Sequence, residues 1–222
     1  MIEELWESPI YKRNDGDVRT YSIYLPDKEL ILPSVTTILS GTRDQESRDV
    51  LAKWELENPG VKEERAAIGT AMHHLIENYI LGIRDTVCPN DEHVKMFNHY
   101  KKWIDTNKLD VKLVEGVVYW VSPDGIGFAG SVDLVSDVNG DLCIVDHKSS
   151  KKTKKLEWIK DYVLQVSGYS KAVKSMYGVD VKGAYINIAT SKALQTFYLD
   201  YYQLVDGWGE FYERLKQYHK AV

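Results

Sequence analysis

The pair Asn139-Gly140, which lies between two apolar segments, most constrains how this chain can fold. Asn-Gly is the preferred pair for a two-residue type I′ turn between antiparallel strands. Such a turn fixes the register of the hairpin, because turn type and loop length decide which residues lie opposite each other. The register places Asp133 directly across from Asp146. Lys148 falls on the same face as Asp146, because side chains alternate along a strand.

This patch of two aspartates and one lysine would be costly as a purely structural feature. Like charges directly opposite each other destabilise a hairpin. The neighbouring positions are apolar on both faces, as in a sheet that is covered on both sides; they are Val132, Leu134, Val135, Ile144 and Val145. Two carboxylates in such a place need a cation or a shared proton, and oxygen ligands favour Mg²⁺ or Mn²⁺. A solvated strand end, at which Lys148 simply pairs with the aspartates, is the alternative interpretation.

The rest of the chain predicts an α/β or α+β fold around this hairpin. Hydrophobic periodicity predicts strands at 18–25, 114–121, 127–138, 141–148, 181–189 and 194–199. It predicts helices at 35–39, 48–57, 61–81, 91–106, 158–176 and 201–218. We find no linker that would separate two domains, and therefore expect one domain over 1–222 with a helical N-terminal lobe.

Composition narrows the class of protein. A chain of 222 residues that is 44% hydrophobic can bury a substantial core. Its net charge of −5 excludes a protein that binds nucleic acid by bulk positive charge, although a local basic strip stays possible. Two cysteines are too few for a four-cysteine zinc or iron–sulfur site. The absence of a membrane-length apolar run, and a start at Met1 without signal-peptide or transit-peptide features, predict a cytoplasmic protein with no membrane partner.

The helix predicted at 61–81 carries a second group of polar residues. Gly69 in a helix interior costs up to ~1 kcal/mol relative to alanine, which suggests close approach of another backbone or of a phosphate. His73 and Glu77 are four residues apart and should share one helix face. His74 points about 100° away, so we prefer His73 as the functional histidine. A solvated histidine is the alternative.

Two further patterns follow the hairpin. Gln165 and Tyr169 are also spaced to share one helix face. A basic segment begins at Lys148 and brings cations and hydroxyl groups next to the aspartates, as a phosphodiester would require; it contains Ser149, Lys151, Lys152, Lys154 and Lys155. A solvated basic loop is the alternative interpretation of this segment.

The order of these motifs resembles the RecB-like branch of the PD-(D/E)XK nucleases. The motifs are Gly69-Thr70-x-x-His73, Gly130-x-x-Asp133, Asp146-x-Lys148 and Gln165-x-x-x-Tyr169, which together span residues 69–169. The segment 33–39 also resembles an N-terminal element of the mitochondrial genome-maintenance exonuclease branch, which has phage and bacterial relatives. The proline of the family name is absent before Asp133, and this variation does not remove a ligand.

The resemblance implies a restriction-endonuclease-like mixed central sheet flanked by helices, in one nuclease domain. That domain would comprise a mainly helical part (1–107), a nuclease core (108–200) and a C-terminal helix (201–222). His73, Asp133 and Asp146 would hold Mg²⁺ or Mn²⁺ with the main-chain carbonyl of His147, and Glu77 would be a secondary group. The implied catalytic residues are Asp133, Asp146, Lys148, Gln165 and Tyr169. The implied DNA contacts are Thr70, Ser149, Lys151, Lys152, Lys154 and Lys155. The iron–sulfur subgroup is not expected.

The expected function is therefore a metal-dependent DNA exonuclease that acts on single-stranded DNA or DNA ends in replication, recombination or repair. A carboxylate-bound divalent cation and a nearby ammonium are suitable parts for phosphodiester hydrolysis. The alternatives are a structure-specific or restriction-type endonuclease and a non-catalytic DNA-binding subunit. We expect the protein in the cytoplasm of a bacterial or phage-infected cell.

Overall fold

The computed structural model of the protein describes residues 5–83 and 88–221. Within them, five strands form a central sheet in the order in which they occur along the chain. These strands are β4 (Leu109–Val121), β5 (Gly127–Val138), β6 (Asp141–Ser149), β7 (Gly183–Ala189) and β8 (Leu194–Asp200). Neighbouring strands are antiparallel except β6 and β7, which are parallel. The expected mixed central sheet is confirmed.

The parallel pair explains why a helix follows the hairpin, because parallel neighbours require a long crossover connection. That crossover is α5 (Lys160–Tyr177), which ends at Gly178 in the left-handed conformation with φ of 72°. A short 3₁₀ turn at Leu156–Trp158 precedes it, so the helix begins two residues later than the sequence predicts.

Helices cover both faces of the sheet, as the apolar residues on both sides of the hairpin predict. One face packs against α1 (Val35–Gly41), α5 and α6 (Tyr201–Ala221), and the opposite face against α3 (Val61–Ile80) and α4 (Asp91–Thr106). The remaining helix is α2 (Gln45–Glu57), which starts three residues earlier than expected. Its start is set by Asp44, whose carboxylate accepts a hydrogen bond from the Ser47 N–H.

The N-terminal part also contains a second, antiparallel sheet in front of its helices. Its strands are β1 (Ile10–Asp15), β2 (Arg19–Leu25) and β3 (Lys28–Pro33), of which the sequence predicts only β2. Tyr21, Ile23 and Leu32 are buried against Val117 and Ala129 of the central sheet. The N-terminal lobe is therefore a small sheet together with helices.

Backbone contacts attach this N-terminal sheet and the residues before it to the central one. Ser34 forms an isolated parallel bridge with Ala129, and the Trp6 N–H donates to the Lys112 carbonyl at 2.6 Å. None of the helices in the described ranges combines the length and the apolar character needed to cross a membrane. Residues 1–4, which belong to the start used for the signal-peptide expectation, lie outside the described residues.

Candidate metal and nuclease site

The hairpin has the predicted register, and its two strands separate at the aspartates. Asn139 and Gly140 have φ of 56° and 106°, the positive values that a type I′ turn needs. The β5–β6 ladder runs from Val138 opposite Asp141 to Leu134 opposite Val145. Beyond that pair β5 remains paired with β4, and β6 continues alongside β7. The ladder therefore stops just before Asp133 and Asp146, and the expected direct cross-strand pairing of these two residues is not formed.

A hydrogen bond from backbone to carboxylate takes the place of that pairing. Asp133 Oδ2 accepts from the His147 N–H at 2.6 Å. This bond connects the first aspartate to the residue that follows the second. The separation of the strands opens the sheet at the point where the carboxylates are concentrated.

Both aspartates are buried, Asp133 at 7% exposure and Asp146 at 1%. Burial raises the pKa of both carboxyl groups, that of Asp146 to about 6. Asp146 Oδ1 accepts from Lys148 Nζ at 2.6 Å, while its Oδ2 is buried without a hydrogen-bond partner among the described residues. Burial opposes the positive charge of Lys148, but the charges of Asp146 and Asp133 outweigh it and raise the lysine pKa. The predicted Asp146–Lys148 contact is present.

His73 projects from α3 toward Asp133 and a carboxylate that the sequence analysis missed. Its Nδ1 lies 3.0 Å from Glu115 Oε1 and 3.4 Å from Asp133 Oδ1. One ligand atom from each of these three residues lies within 4.8 Å of the other two. The charge of Asp133 raises the pKa of His73 to about 9 despite partial desolvation, with help from the hydrogen bond to Glu115. The three residues form a compact group of oxygen and nitrogen donors.

Glu115 reaches this position through an irregular backbone. The β4–β5 register shifts between Val111 and Leu113, and Glu115 itself has φ of 45°. A non-glycine residue held at positive φ is strained, and such residues are concentrated at functional sites. The next residue is Gly116, where an added Cβ would lie 2.3 Å from the Leu113 side chain. A glutamate followed by glycine inside an apolar strand is a local signal that the backbone is irregular at this position.

The face of α3 that carries His73 differs from the one expected. Glu77 Oε2 lies 3.6 Å from His74 Nδ1, so the histidine beside Glu77 is His74 rather than the expected His73. His73 lies beside Glu115 and Asp133 instead. Thr70 is exposed, and its hydroxyl donates to the Ala66 carbonyl of its own helix at 3.1 Å. No protein atom lies within 4 Å of a Cβ built on Gly69, apart from its chain neighbours and nearby helix backbone, so no other segment of the described protein approaches it.

Gln165 and Tyr169 share a face of α5 as predicted, and both are buried. Gln165 Nε2 donates to the Tyr169 hydroxyl at 3.0 Å. The Tyr169 ring occupies the space beside Gly130, where an added Cβ would lie 2.7 Å from Tyr169 Cε1. Gly130, three residues before Asp133, is therefore required for this close contact. The His147 ring is buried edge-on against Tyr100, with a centroid separation of 5.1 Å.

The basic segment after β6 is largely exposed and is attached to the sheet at Ser150, whose N–H donates to the Ala189 carbonyl at 2.8 Å, and at Lys154. The Lys154 N–H donates to Gln195 Oε1 at 2.6 Å, and the Gln195 amide donates to the Lys154 carbonyl at 3.1 Å. Ser149 and Lys154 are half-buried, whereas three lysines are exposed: Lys151, Lys152 and Lys155. The segment thus offers accessible positive charge close in sequence to Lys148.

Comparison with known proteins agrees with this geometry. Residues 95–219 match the family model described as the PD-(D/E)XK nuclease superfamily. The chain is also 26% identical, over 208 residues, to the mitochondrial genome maintenance exonuclease 1 of Homo sapiens, and over 216 residues to that of Mus musculus. These alignments cover 87% and 91% of this chain but 60% and 63% of the two relatives.

These relatives correct one expectation from the sequence. Their names place them in mitochondria, and they come from animals. The expected location in the cytoplasm of a bacterial or phage-infected cell is therefore wrong. The expected family is confirmed, because the matched residues make up more than half of the chain and contain both aspartates of the hairpin. This chain belongs to the PD-(D/E)XK nuclease superfamily.

Proposed function

We propose that this protein is a divalent-metal-dependent DNA exonuclease that acts in genome maintenance. The observation that carries the proposal is the group of His73, Glu115 and Asp133, whose ligand atoms lie within 4.8 Å of one another beside the Asp146–Lys148 pair. Exonuclease activity and a role in genome maintenance are named for the relatives. We extend both to this chain on the strength of that group.

The donor set fits a hard divalent cation. Carboxylate oxygens dominate it, which favours Mg²⁺ or Mn²⁺ over softer metals. The Oδ2 of Asp146 is buried and has no hydrogen-bond partner among the described residues, which also favours a cation, because a buried carboxylate oxygen without a partner is costly. We assign His73, Glu115, Asp133 and Asp146 as ligands, with the main-chain carbonyl of His147. A bound divalent cation would supply Lewis-acid activation of water and of the phosphoryl group.

We assign Lys148 a role on the reacting phosphate, in addition to neutralising Asp146. It is fixed at 2.6 Å from Asp146 and is held protonated by both aspartates. A preorganised ammonium at this point stabilises the negative charge that develops on the phosphoryl oxygens. We assign Gln165 and Tyr169 a positioning role. Their mutual hydrogen bond and the contact of Tyr169 with Gly130 support the part of β5 that carries Asp133.

DNA would approach over the basic segment, with phosphate contacts from exposed lysines. We assign the exposed Thr70 and the half-buried Ser149 as further phosphate contacts. We leave Glu77 out of the site, because its carboxylate lies beside His74. Single-stranded DNA or a DNA end is the proposed substrate. We further propose that residues 1–222 act as one nuclease domain, since backbone contacts connect the N-terminal sheet to the central one.

The test is cleavage of labelled linear and circular DNA, single- and double-stranded, in Mg²⁺, Mn²⁺ or EDTA. We expect cleavage of linear substrates only, and none in EDTA. The variant Asp133→Asn should be inactive, while Asp141→Asn, at an exposed position of the same hairpin, should retain activity. Cleavage of closed circles would indicate an endonuclease instead. Metal-independent binding without cleavage would indicate a DNA-binding subunit.

A further inference from the structure

A cleft of about 560 Å³ lies beside the proposed catalytic lysine, at the start of α5. Tyr162 belongs to both places, because it lines the cleft and its ring centroid is 5.3 Å from Lys148 Nζ. Trp158, on the 3₁₀ turn, also lines the cleft. Tyr162 therefore links the cleft to the lysine that would meet the reacting phosphate.

Trp158 is 61% exposed although it is held in a defined place. Its N–H donates to the Lys155 carbonyl at 3.0 Å, and the next residue, Ile159, is almost completely buried at 1% exposure. Lys155 Nζ lies 5.3 Å from the centroid of the indole ring. A single exposed aromatic residue is not unusual. An exposed indole on an anchored backbone, beside a lysine-rich segment and lining a cleft, has the parts of a base-stacking platform.

Ion pairs and hydrogen bonds hold another part of the cleft lining in place. Asp161 accepts from Arg43 Nη2 at 3.0 Å and from Arg214 Nη1 at 2.7 Å. Arg214 also donates to the Thr42 hydroxyl at 2.8 Å and to the Leu39 carbonyl. These bonds connect α1, α5 and α6 around one carboxylate. This part of the lining is therefore formed before any ligand arrives, which limits the ordering cost of binding.

Charge identifies which part of a nucleotide the cleft would accept. Three basic and four acidic side chains line it, and one of the basic ones, Lys160, is paired with Glu210 at 2.6 Å. Such a mixed lining does not favour a phosphate. It suits an uncharged ring with hydrogen-bonding edges, while the adjacent lysines lie outside the cleft and are available to the backbone. This distribution of charge fits a nucleobase inside the cleft and the DNA phosphates at the lysines outside it.

We propose that this cleft receives one unpaired base of a single-stranded DNA substrate, stacked on Trp158, next to the nucleotide undergoing hydrolysis. The proposal rests on the proposed nuclease function and specifies its substrate. A base that is still paired in a duplex cannot enter the cleft. The cleft would thus select single strands or frayed ends through the base, independently of the phosphate contacts.

The experiment is an abasic scan, measured as equilibrium binding in Ca²⁺ with strands of about 12 nucleotides, a length within the usual range of single-strand sites. One abasic position is moved along the strand. We expect the wild-type affinity to fall about 5- to 150-fold when the abasic site occupies one particular position, the range for loss of one stacked base. Trp158→Ala should bind the intact strand more weakly than the wild type by a similar factor. An abasic site at that position should not weaken its binding further. Trp158→Phe should retain most of the affinity, because the ring remains.

Tyr202→Ala is the matched control, since Tyr202 is 76% exposed and does not line the cleft; its scan should equal that of the wild type. Thermal melting confirms that each variant is folded. If Trp158→Ala keeps the position-specific loss, or binds the intact strand as tightly as the wild type, the stacking site is wrong. If the wild type cleaves DNA but its affinity does not depend on the position of the abasic site, the nuclease function stands and the base site is rejected. If the wild type neither binds nor cleaves DNA, both proposals fail.

Discussion

Glu115 combines a strained backbone with a carboxylate in the proposed metal site, and two substitutions separate these properties. Glu115→Ala and Glu115→Gly both remove the carboxylate that lies 3.0 Å from His73. They differ in the backbone: the φ of 45° at this position lowers the folding stability of the alanine variant but not that of the glycine variant. A left-handed conformation costs an L-residue about 1–2 kcal/mol, whereas glycine adopts it freely but loses about 0.5–1 kcal/mol through the flexibility of its unfolded state.

The glycine variant should therefore be more stable than the alanine variant by about 0.5–1 kcal/mol. For a chain of this length, that difference corresponds to about 1–4 °C in Tm. Thermal unfolding in EDTA measures it without interference from metal. Because both variants lose the same side-chain contacts, their difference isolates the backbone. In calorimetric titration with Mn²⁺, both should bind at least ~10-fold more weakly than the wild type.

Glu29 provides the control, because it is an exposed residue of β3 and is not among the residues with positive φ. There the order should reverse, with Glu29→Gly less stable than Glu29→Ala by about 0.5–1 kcal/mol. If Gly is also the less stable variant at position 115, the strain argument is refuted. If both Glu115 variants bind Mn²⁺ as tightly as the wild type, Glu115 is not a ligand.

Three further predictions concern the same site. His73→Ala should weaken Mn²⁺ binding at least ~10-fold and His74→Ala much less, because His73, unlike His74, faces Asp133. Calorimetric titration measures both, and a larger loss for His74→Ala would show that the metal site is assigned wrongly. Lys148→Ala should lower the rate of single-turnover cleavage at least ~100-fold with little change in DNA affinity in Ca²⁺. If the cleavage rate and the affinity fall by the same factor, Lys148 only contacts a phosphate. Mn²⁺ affinity should rise about tenfold per pH unit from pH 6 toward 9, because the cation must displace the proton of His73. Asp133 raises the pKa of that imidazole to about 9, and a flat profile over this range would contradict this interpretation.

Local sequence signals identify the candidate site residues whose positions are set by a single turn or a single helix. The Asn139-Gly140 turn determined the hairpin register, and through it Asp133, Asp146 and Lys148. It could not show that the strands separate at the aspartates, because that depends on the parallel pairing of β6 with β7. Glu115 was missed for a similar reason. Its backbone irregularity has a local signal in the pair Glu115-Gly116, but its approach to His73 depends on the placement of α3, which no short segment encodes.

The small N-terminal sheet shows the same limit. Strand β1 is mostly exposed and carries Lys, Arg, Asn and Asp, so its sequence has little of the apolar alternation that predicts strands. It forms through pairing with β2, whose Tyr21 and Ile23 are buried on the central sheet. Trp158 was placed at the start of a helix, whereas it lies on a 3₁₀ turn that ends before α5. That turn points to the base site, which no motif had indicated.

Charge balance explains why these buried and half-buried side chains can lie together. Three carboxylates, those of Glu115, Asp133 and Asp146, lie around one lysine and one histidine. Without metal, the proton on His73 leaves this group with one net negative charge. As a metal ligand the imidazole must be neutral, and the three carboxylates and one ammonium then carry two negative charges. A divalent cation balances that charge, whereas a monovalent cation does not. The high pKa of His73 in the metal-free protein therefore reflects the same excess of carboxylate charge that would attract the metal.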